Sequence, residues 1–157
     1  MSGPFVGRDT ITVVTSALEL RVVPVGDNVS ALVPAIDGES LIDLVAAFES
    51  RRGYKPSGGY AGIIPAHFNF GDLTRYYEAR EDRQWPKPQH AWVLGCDCGE
   101  VGCWPLTVRI TVTADQVIWS DFGQDHRPNW DYTGFGPFAF ERQQYASAVA
   151  TAAGAVG

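Results

Sequence analysis

Short runs of alternating apolar and polar residues, each closed by a Gly- or Pro-containing turn, indicate that this chain forms antiparallel β-hairpins. The alternation is clear over residues 18–23, where Glu19 and Arg21 separate leucines and a valine. Pro24 and a Gly-Asp-Asn turn end that run, and residues 30–36 are predicted to be its hairpin partner. The first part of the chain therefore contributes one hairpin.

The second half of the chain predicts a three-stranded meander. Its strands are expected at 89–94, 106–113 and 116–122, with a short Ala-Asp turn between the last two. In the middle strand Val108 and Ile110 share one face, while threonines and an arginine occupy the other. This pattern is typical of a strand that is buried on one side.

Helical signals occur in three segments, which are residues 40–52, 72–83 and 140–152. The first is the clearest, because Leu41, Val45 and Phe48 recur at helical spacing. Ser40 precedes them as a helix cap, and Arg51 suits the negative end of the helix dipole.

The predicted elements follow the order β-β-α-α-β-β-β-α, without the βαβ repeat of a parallel sheet. We therefore expect an α+β fold with an antiparallel sheet of about five strands and two to three helices. The 157 residues contain no internal repeat and no linker, so we expect 1–157 to form a single domain. Its ends, 1–9 and 151–157, are expected to be loose.

Composition and charge narrow the class of function. The net charge of -6, from 18 acidic and 12 basic residues, makes nucleic acid an unfavourable partner and suits a protein partner. No apolar run approaches the ~18 residues of a membrane span, and the start of the chain lacks the apolar core of an export signal. We therefore expect a cytoplasmic protein, in which three cysteines would stay reduced or bind a metal.

The strongest local feature is the segment 95–104, Gly-Cys-Asp-Cys-Gly-Glu-Val-Gly-Cys-Trp, between two predicted strands. Zinc takes four sulfur or nitrogen ligands in a tetrahedron, and the flanking glycines would let Cys96, Cys98 and Cys103 converge. His126 is our candidate for the fourth ligand, with His67 and His90 as alternatives. The segment therefore predicts a zinc site, although its C-x-C-x4-C spacing differs from the usual C-x2-C knuckle.

Two other interpretations of the same segment stay open. The three thiols could be reduced and simply pack as small apolar groups at a tight turn. A disulfide could instead join Cys103 to Cys98 or Cys96 in a redox-responsive loop.

A second loop, residues 119–132, combines one histidine, one arginine, three aspartates and several large aromatics. His126 could act as a general base or metal ligand, Arg127 could bind an anion, and Asp125 or Asp131 could orient the imidazole. The catalytic candidates of the chain are His126, Arg127 and Asp131. The structural alternative is that the aromatics cover one edge of the core and Arg127 pairs with a carboxylate to fix the loop.

The glycines at 58–62 do not form a phosphate-binding loop, because no Gly-Lys-Ser/Thr follows them. They indicate a flexible connection or a close approach of two backbones. Zinc is thus the single cofactor that the sequence suggests.

Two motifs resemble those of a family of small uncharacterised bacterial proteins. One is Gly-Cys-x-Cys-Gly-x-x-Gly-Cys-Trp-Pro-Leu over 95–106, and the other is Trp-x-x-Phe-x-Gln-x-His-Arg-x-x-Trp-x-Tyr over 119–132. The resemblance covers about the last 70 residues and implies no activity, because that family has none assigned.

We hypothesise first a non-enzymatic binding protein. Its acidic charge would attract a basic protein, and Trp85, Trp104 and Trp130 would present aromatic surface. The alternatives are a small metal- or thiol-dependent enzyme built from the two loops, and a thiol redox sensor. The enzyme requires both loops to line one cavity, and the sensor requires an exposed cysteine of low pKa.

Overall fold

In the part of the chain that the structure describes, two antiparallel sheets and three helices form the fold. A computed structural model of the chain describes residues 15–67, 69–81, 84 and 86–156. The strands are β1 (Leu18–Gly26), β2 (Val29–Ile36), β3 (Glu39–Ser40), β4 (Tyr60–Ala61), β5 (His90–Cys96), β6 (Leu106–Val112), β7 (Gln116–Gln124) and β8 (Phe138–Glu141). The helices are α1 (Leu41–Arg51), α2 (Leu73–Tyr76) and α3 (Arg142–Val156), with a 3₁₀ turn at Val101–Cys103. The expected α+β class is confirmed.

The smaller sheet is the predicted hairpin with one added strand. β1 and β2 pair antiparallel, with Leu18 opposite Ile36 and Gly26 opposite Val29. The turn between them fits its residues, because Asn28 adopts a left-handed φ of 57°, which asparagine tolerates. β3 adds to the other edge of β2, in the order β1-β2-β3.

The larger sheet has the order β4-β5-β6-β7-β8, and all of its neighbours are antiparallel. A bridge between Leu32 and Ile63 connects it to the smaller sheet. Gly62 makes this approach possible, because a Cβ atom at that position would lie 2.6 Å from the Leu32 carbonyl oxygen. The glycine-rich segment thus provides close contact between two backbones.

The helix α1 confirms the most strongly supported helical prediction. Ser40 accepts a hydrogen bond from the Ile42 N–H at 3.2 Å, and Gly53 follows the helix with a φ of 74°. Leu41 and Val45 are fully buried. Glu49, one turn further along the same stripe, is also fully buried, which the sequence analysis did not anticipate.

Two helical predictions were wrong at their ends. The helix expected over 72–83 ends at Tyr76, because Ala79 turns left-handed at a φ of 57° and Glu81 bonds back to the Asp72 N–H at 2.9 Å. Residues 82 and 83 lie outside the described residues.

The last helix begins at Arg142 rather than at 140. Phe140 belongs to β8, where it pairs with Val117. The end of the chain, expected to be loose from 151, is helical as far as Val156, and residues 1–9 lie outside the described range. Within that range no helix is both long and apolar enough to cross a bilayer.

Buried aromatic residues hold α3 against the larger sheet. Trp119 and Phe140 lie edge to face at 5.4 Å, and the Trp119 indole N–H donates to the Tyr145 hydroxyl at 3.0 Å. The Tyr145 hydroxyl in turn donates to the Tyr77 carbonyl. The polar atoms of these rings are therefore bonded where the rings are most deeply buried.

We expect the protein to lose stability in alkaline solution. Burial raises the pKa of five tyrosines above the ordinary 10.0, namely Tyr60, Tyr76, Tyr77, Tyr132 and Tyr145. Below about pH 10 both states hold these protons, and above it the unfolded chain releases them first, so the free energy of unfolding falls as the pH rises.

Tyrosinate absorbance and far-ultraviolet circular dichroism, followed together as the pH is raised from neutral, measure this effect. We expect most tyrosines to ionise in one cooperative step that coincides with unfolding. Ionisation of all the tyrosines at their ordinary pKa, with the circular dichroism unchanged, would contradict the expectation.

Candidate functional site

The cysteine loop connects β5 to β6 and folds back on itself. β5 ends at Cys96, a turn follows, and the 3₁₀ turn carries Cys103. Gly95 permits this tight fold, because a Cβ atom there would lie 2.9 Å from the Val101 Cα. The Cys98 N–H lies 3.4 Å from the Cys96 Sγ, so the loop brings its cysteines close together as predicted.

The thiol of Cys98 is the most activated of the three. This thiol is exposed, and its pKa is held below the ordinary 9.0 by hydrogen bonds to its sulfur. The larger contribution comes from the Glu100 backbone N–H and the next from the Cys96 thiol. The Cys103 thiol acts in the same direction. A lowered pKa raises the fraction of thiolate, which is the nucleophilic form.

The pKa values of the two neighbouring thiols shift the other way, above the ordinary value. Burial raises the pKa of the Cys96 thiol to about 11, and the interaction with Cys98 raises the pKa of Cys103. Cys96 is half-buried, whereas Cys103 is exposed. The loop thus presents one reactive sulfur with an accessible thiol beside it.

Two cavities open beside this loop. Their volumes are about 460 Å³ and 500 Å³, and Cys96, Cys98 and His67 line both of them. The wall of the larger cavity is mainly apolar and includes part of the β1–β2 hairpin, where Val23 and Val25 are exposed. The reactive sulfur therefore faces space that another molecule can enter.

The His126 side chain contacts the backbone of the cysteine loop and not its thiols. The His126 Nε2 lies 2.8 Å from the Gly102 carbonyl oxygen. Because a carbonyl oxygen only accepts, Nε2 carries the proton and donates, and it has no lone pair for a metal. The ring also stacks on Trp104, at 6.3 Å and 11°.

Arg127 and Asp131 make structural contacts. The Arg127 guanidinium lies over the Trp104 ring at 5.0 Å and donates to the His126 carbonyl at 2.8 Å. Hydrogen bonds from Thr133 lower the pKa of Asp131, and Arg52 lies 3.8 Å from its carboxylate. In the portion of the chain that the structure describes, no hydrogen bond or ion pair joins Asp131 to His126.

The loop tryptophans Trp104 and Trp130 are half-buried and packed rather than fully exposed. Trp104 donates to the Gly58 carbonyl at 2.8 Å and meets Trp130 edge to face at 5.9 Å. Trp130 stacks on Tyr54 at 4.7 Å. Trp85 lies outside the described residues.

The zinc prediction stays untested by this geometry. Among the residues described, no three His, Cys, Asp or Glu side chains are arranged to hold a metal ion. The proton on the His126 Nε2 leaves Nδ1 as the only nitrogen of that ring with a lone pair for a metal. His67, which lines both cavities with Cys96 and Cys98, is the better placed histidine.

The site residue that the sequence analysis missed is Glu49. Its carboxylate accepts hydrogen bonds from the Gly58 N–H at 2.8 Å and from the hydroxyls of Tyr60 and Tyr132, both at 2.6 Å. The spacing of Leu41, Val45 and Glu49, four residues apart each time, was the available signal for its burial.

Glu49 is connected to the cysteine loop through hydrogen bonds. The Gln124 side chain donates to the Tyr60 hydroxyl at 3.0 Å and accepts from the His126 N–H at 3.0 Å. His126 then reaches Gly102 on the cysteine loop. The two loops are thereby held in fixed positions relative to α1.

No family model matches this chain, and no curated protein or solved structure gives a significant match to it. The resemblance of the two motifs to a bacterial family stays a prediction.

We expect Tyr132→Phe to lower the free energy of unfolding by about 1.5–3 kcal/mol, because it removes a donor from a buried carboxylate. Urea denaturation followed by circular dichroism measures this. Glu19→Gln is the control, because it breaks an exposed ion pair with Arg21 and should cost no more than about 1 kcal/mol. Equal effects of the two substitutions would show that Glu49 does not depend on Tyr132.

Proposed function

We propose that this chain is a non-enzymatic binding protein whose cysteine loop acts as a thiol redox switch. The observation that carries the proposal is the position of Cys98, which is exposed, lies with its backbone nitrogen 3.4 Å from the Cys96 sulfur and lines two cavities. Its lowered pKa supports the same conclusion.

The switch is a disulfide between Cys98 and Cys103. A peroxide oxidises the Cys98 thiolate to a sulfenic acid, and the peroxide O–O bond breaks to release hydroxide. The Cys103 thiol then attacks the sulfenic sulfur, an S–S bond forms, and water leaves. In sum, two thiols and one hydrogen peroxide give one disulfide and two waters.

Cys103 is the better partner for Cys98 than Cys96 is. Cys103 is exposed, so it can follow the sulfur of Cys98 as the loop closes. Cys96 is half-buried in the last position of β5, so its sulfur is less free to approach that of Cys98.

The partner that fits the loop is a basic protein. Asp97 and Glu100 are exposed on either side of Cys98, and the segment 94–108 contains no Lys or Arg. Such a rim adds to the net charge of -6 and favours a positively charged surface. Closing the disulfide would change the shape of this rim and thereby the affinity.

The enzyme alternative receives less support. The two loops touch at Gly102, as that alternative required, yet the cysteines line the first two cavities. Arg127 and Asp131 line different ones.

We expect mild hydrogen peroxide to form one disulfide, Cys98–Cys103, that differential alkylation and mass spectrometry can map. Cys98→Ser and Cys103→Ser should abolish it, and the matched control Cys96→Ser should retain it. Three thiols that remain alkylable after peroxide treatment would refute the switch.

The partner is tested with a photo-crosslinker attached to Cys98 of the reduced protein. We expect capture of a protein of high isoelectric point that fails with the double variant Asp97→Asn/Glu100→Gln. If the double variant captures the same protein equally well, electrostatic recognition is contradicted.

A zinc site is the second candidate function of the loop, because three thiols that lie close together suit a soft metal. The three thiolates would be its ligands, and His67 or water would complete the coordination. Bound zinc would fix the loop and protect the thiols from peroxide.

We expect native mass spectrometry of protein purified without chelator or histidine tag to show zinc that Cys98→Ser removes and His126→Gln retains. Loss of zinc with His126→Gln would restore His126 as the fourth ligand. If the purified protein contains no zinc and its thiols react with peroxide, the redox switch would be the one remaining function of the loop.

A further inference from the structure

A buried histidine with a free ring nitrogen lies away from the cysteine loop. The His90 side chain is only 3% exposed, and its Nδ1 lies 3.1 Å from the Pro88 carbonyl oxygen. Because the carbonyl only accepts, the proton resides on Nδ1, and Nε2 presents a lone pair. Within the described residues this Nε2 has no hydrogen-bond partner.

The atom that faces this nitrogen is a carboxylate oxygen. Asp121 Oδ2 lies 3.5 Å from His90 Nε2. The sheet register brings them together, because Arg109 is opposite both His90 and Ser120. Two electron-pair donors thus face each other, and a cation between them would satisfy both.

A local distortion of β7 positions the carboxylate. Between the pairs Thr107–Gly123 and Arg109–Ser120, one residue of β6 faces two residues of β7, which is a β-bulge. Asp121 is one of the two, with a left-handed φ of 54°. A non-glycine residue in this conformation is uncommon and is often found at functional sites.

We propose that His90 Nε2 and Asp121 Oδ2 bind a divalent transition metal ion, of which zinc is the natural probe. Zinc binds nitrogen and oxygen at about 2.0–2.2 Å, so two ligands of a tetrahedral ion lie ~3.4 Å apart. The observed 3.5 Å matches that separation. The hydrogen bond from Nδ1 to a backbone carbonyl is also the usual support of a histidine that binds a metal.

The surroundings leave room for the remaining ligands. His90 and Asp121 line a cavity of about 320 Å³ together with Asp125, Lys87 and Arg127. One oxygen of Asp125 accepts from the Trp92 indole N–H at 3.2 Å, and water would complete the coordination, because no third His, Cys, Asp or Glu of the described residues is placed to do so. The Arg127 guanidinium lies over the Trp104 ring. Lys87 is therefore the positive charge of this cavity that would repel a bound metal ion.

This site does not depend on the proposed thiol switch, because the cysteines line other cavities. It differs in ligand chemistry as well, since imidazole and carboxylate replace thiolate. Because the ligands differ, replacing the cysteines allows the His90–Asp121 site to be measured without the cysteine loop.

The test uses the full chain with Cys96→Ser, Cys98→Ser and Cys103→Ser, which removes thiolate ligands. Isothermal titration with zinc chloride at neutral pH should show one ion per chain. Adding His90→Gln or Asp121→Asn should weaken binding at least about tenfold, while His67→Gln and His126→Gln should leave it unchanged. Asparagine tolerates the left-handed conformation, and position 121 is exposed, so Asp121→Asn keeps the test valid if His90→Gln fails to fold.

Two results would overturn the proposal. One is a cysteine-free chain that binds no zinc or binds it equally well with Asp121→Asn. The other is an imidazole nitrogen NMR spectrum in which His90 Nε2 carries a proton when zinc is present, because the cation between the two groups would then be that proton.

Discussion

The buried carboxylate of Glu49 is the interaction on which the arrangement of both loops depends. Removing a carboxylate from water is costly unless hydrogen bonds replace its hydration. Here three donors do so, and they come from two separate parts of the chain, Gly58 and Tyr60 in one and Tyr132 in the other. Satisfying one side chain of α1 therefore fixes the segment before β4 and the loop before β8.

The position of the cysteine loop follows from that network. Tyr60 pairs with Cys96 across the sheet, and its hydroxyl holds Gln124, which holds the backbone of His126. His126 then bonds Gly102 at the far side of the same loop. The loop is thus held at both ends, while the exposed Cys98 between them stays free to react.

The sequence predicted the elements that are determined by neighbouring residues, and it missed the features that are determined by contacts between residues far apart in the chain. The hairpin, α1 and the meander carry their own turn, cap and periodicity signals, so they were foreseeable. The strands β3 and β8 were not, since each is short and depends on its partner strand. The convergence of the cysteines was predictable because they lie within eight residues. The role of Glu49 was not, because its partner Tyr132 is 83 positions away.

The end of β7 and the turn after it contribute residues to both candidate sites. The side chains of Gln124 and His126 bond toward Tyr60 and Gly102. Asp121 instead faces His90 Nε2 at 3.5 Å, and Asp125 accepts from the Trp92 indole N–H. Neighbouring positions of this segment therefore reach the cysteine loop on one side and His90 on the other. The proposed thiol switch and the proposed metal site would therefore share one support, although peroxide oxidises thiolates and not an imidazole–carboxylate pair.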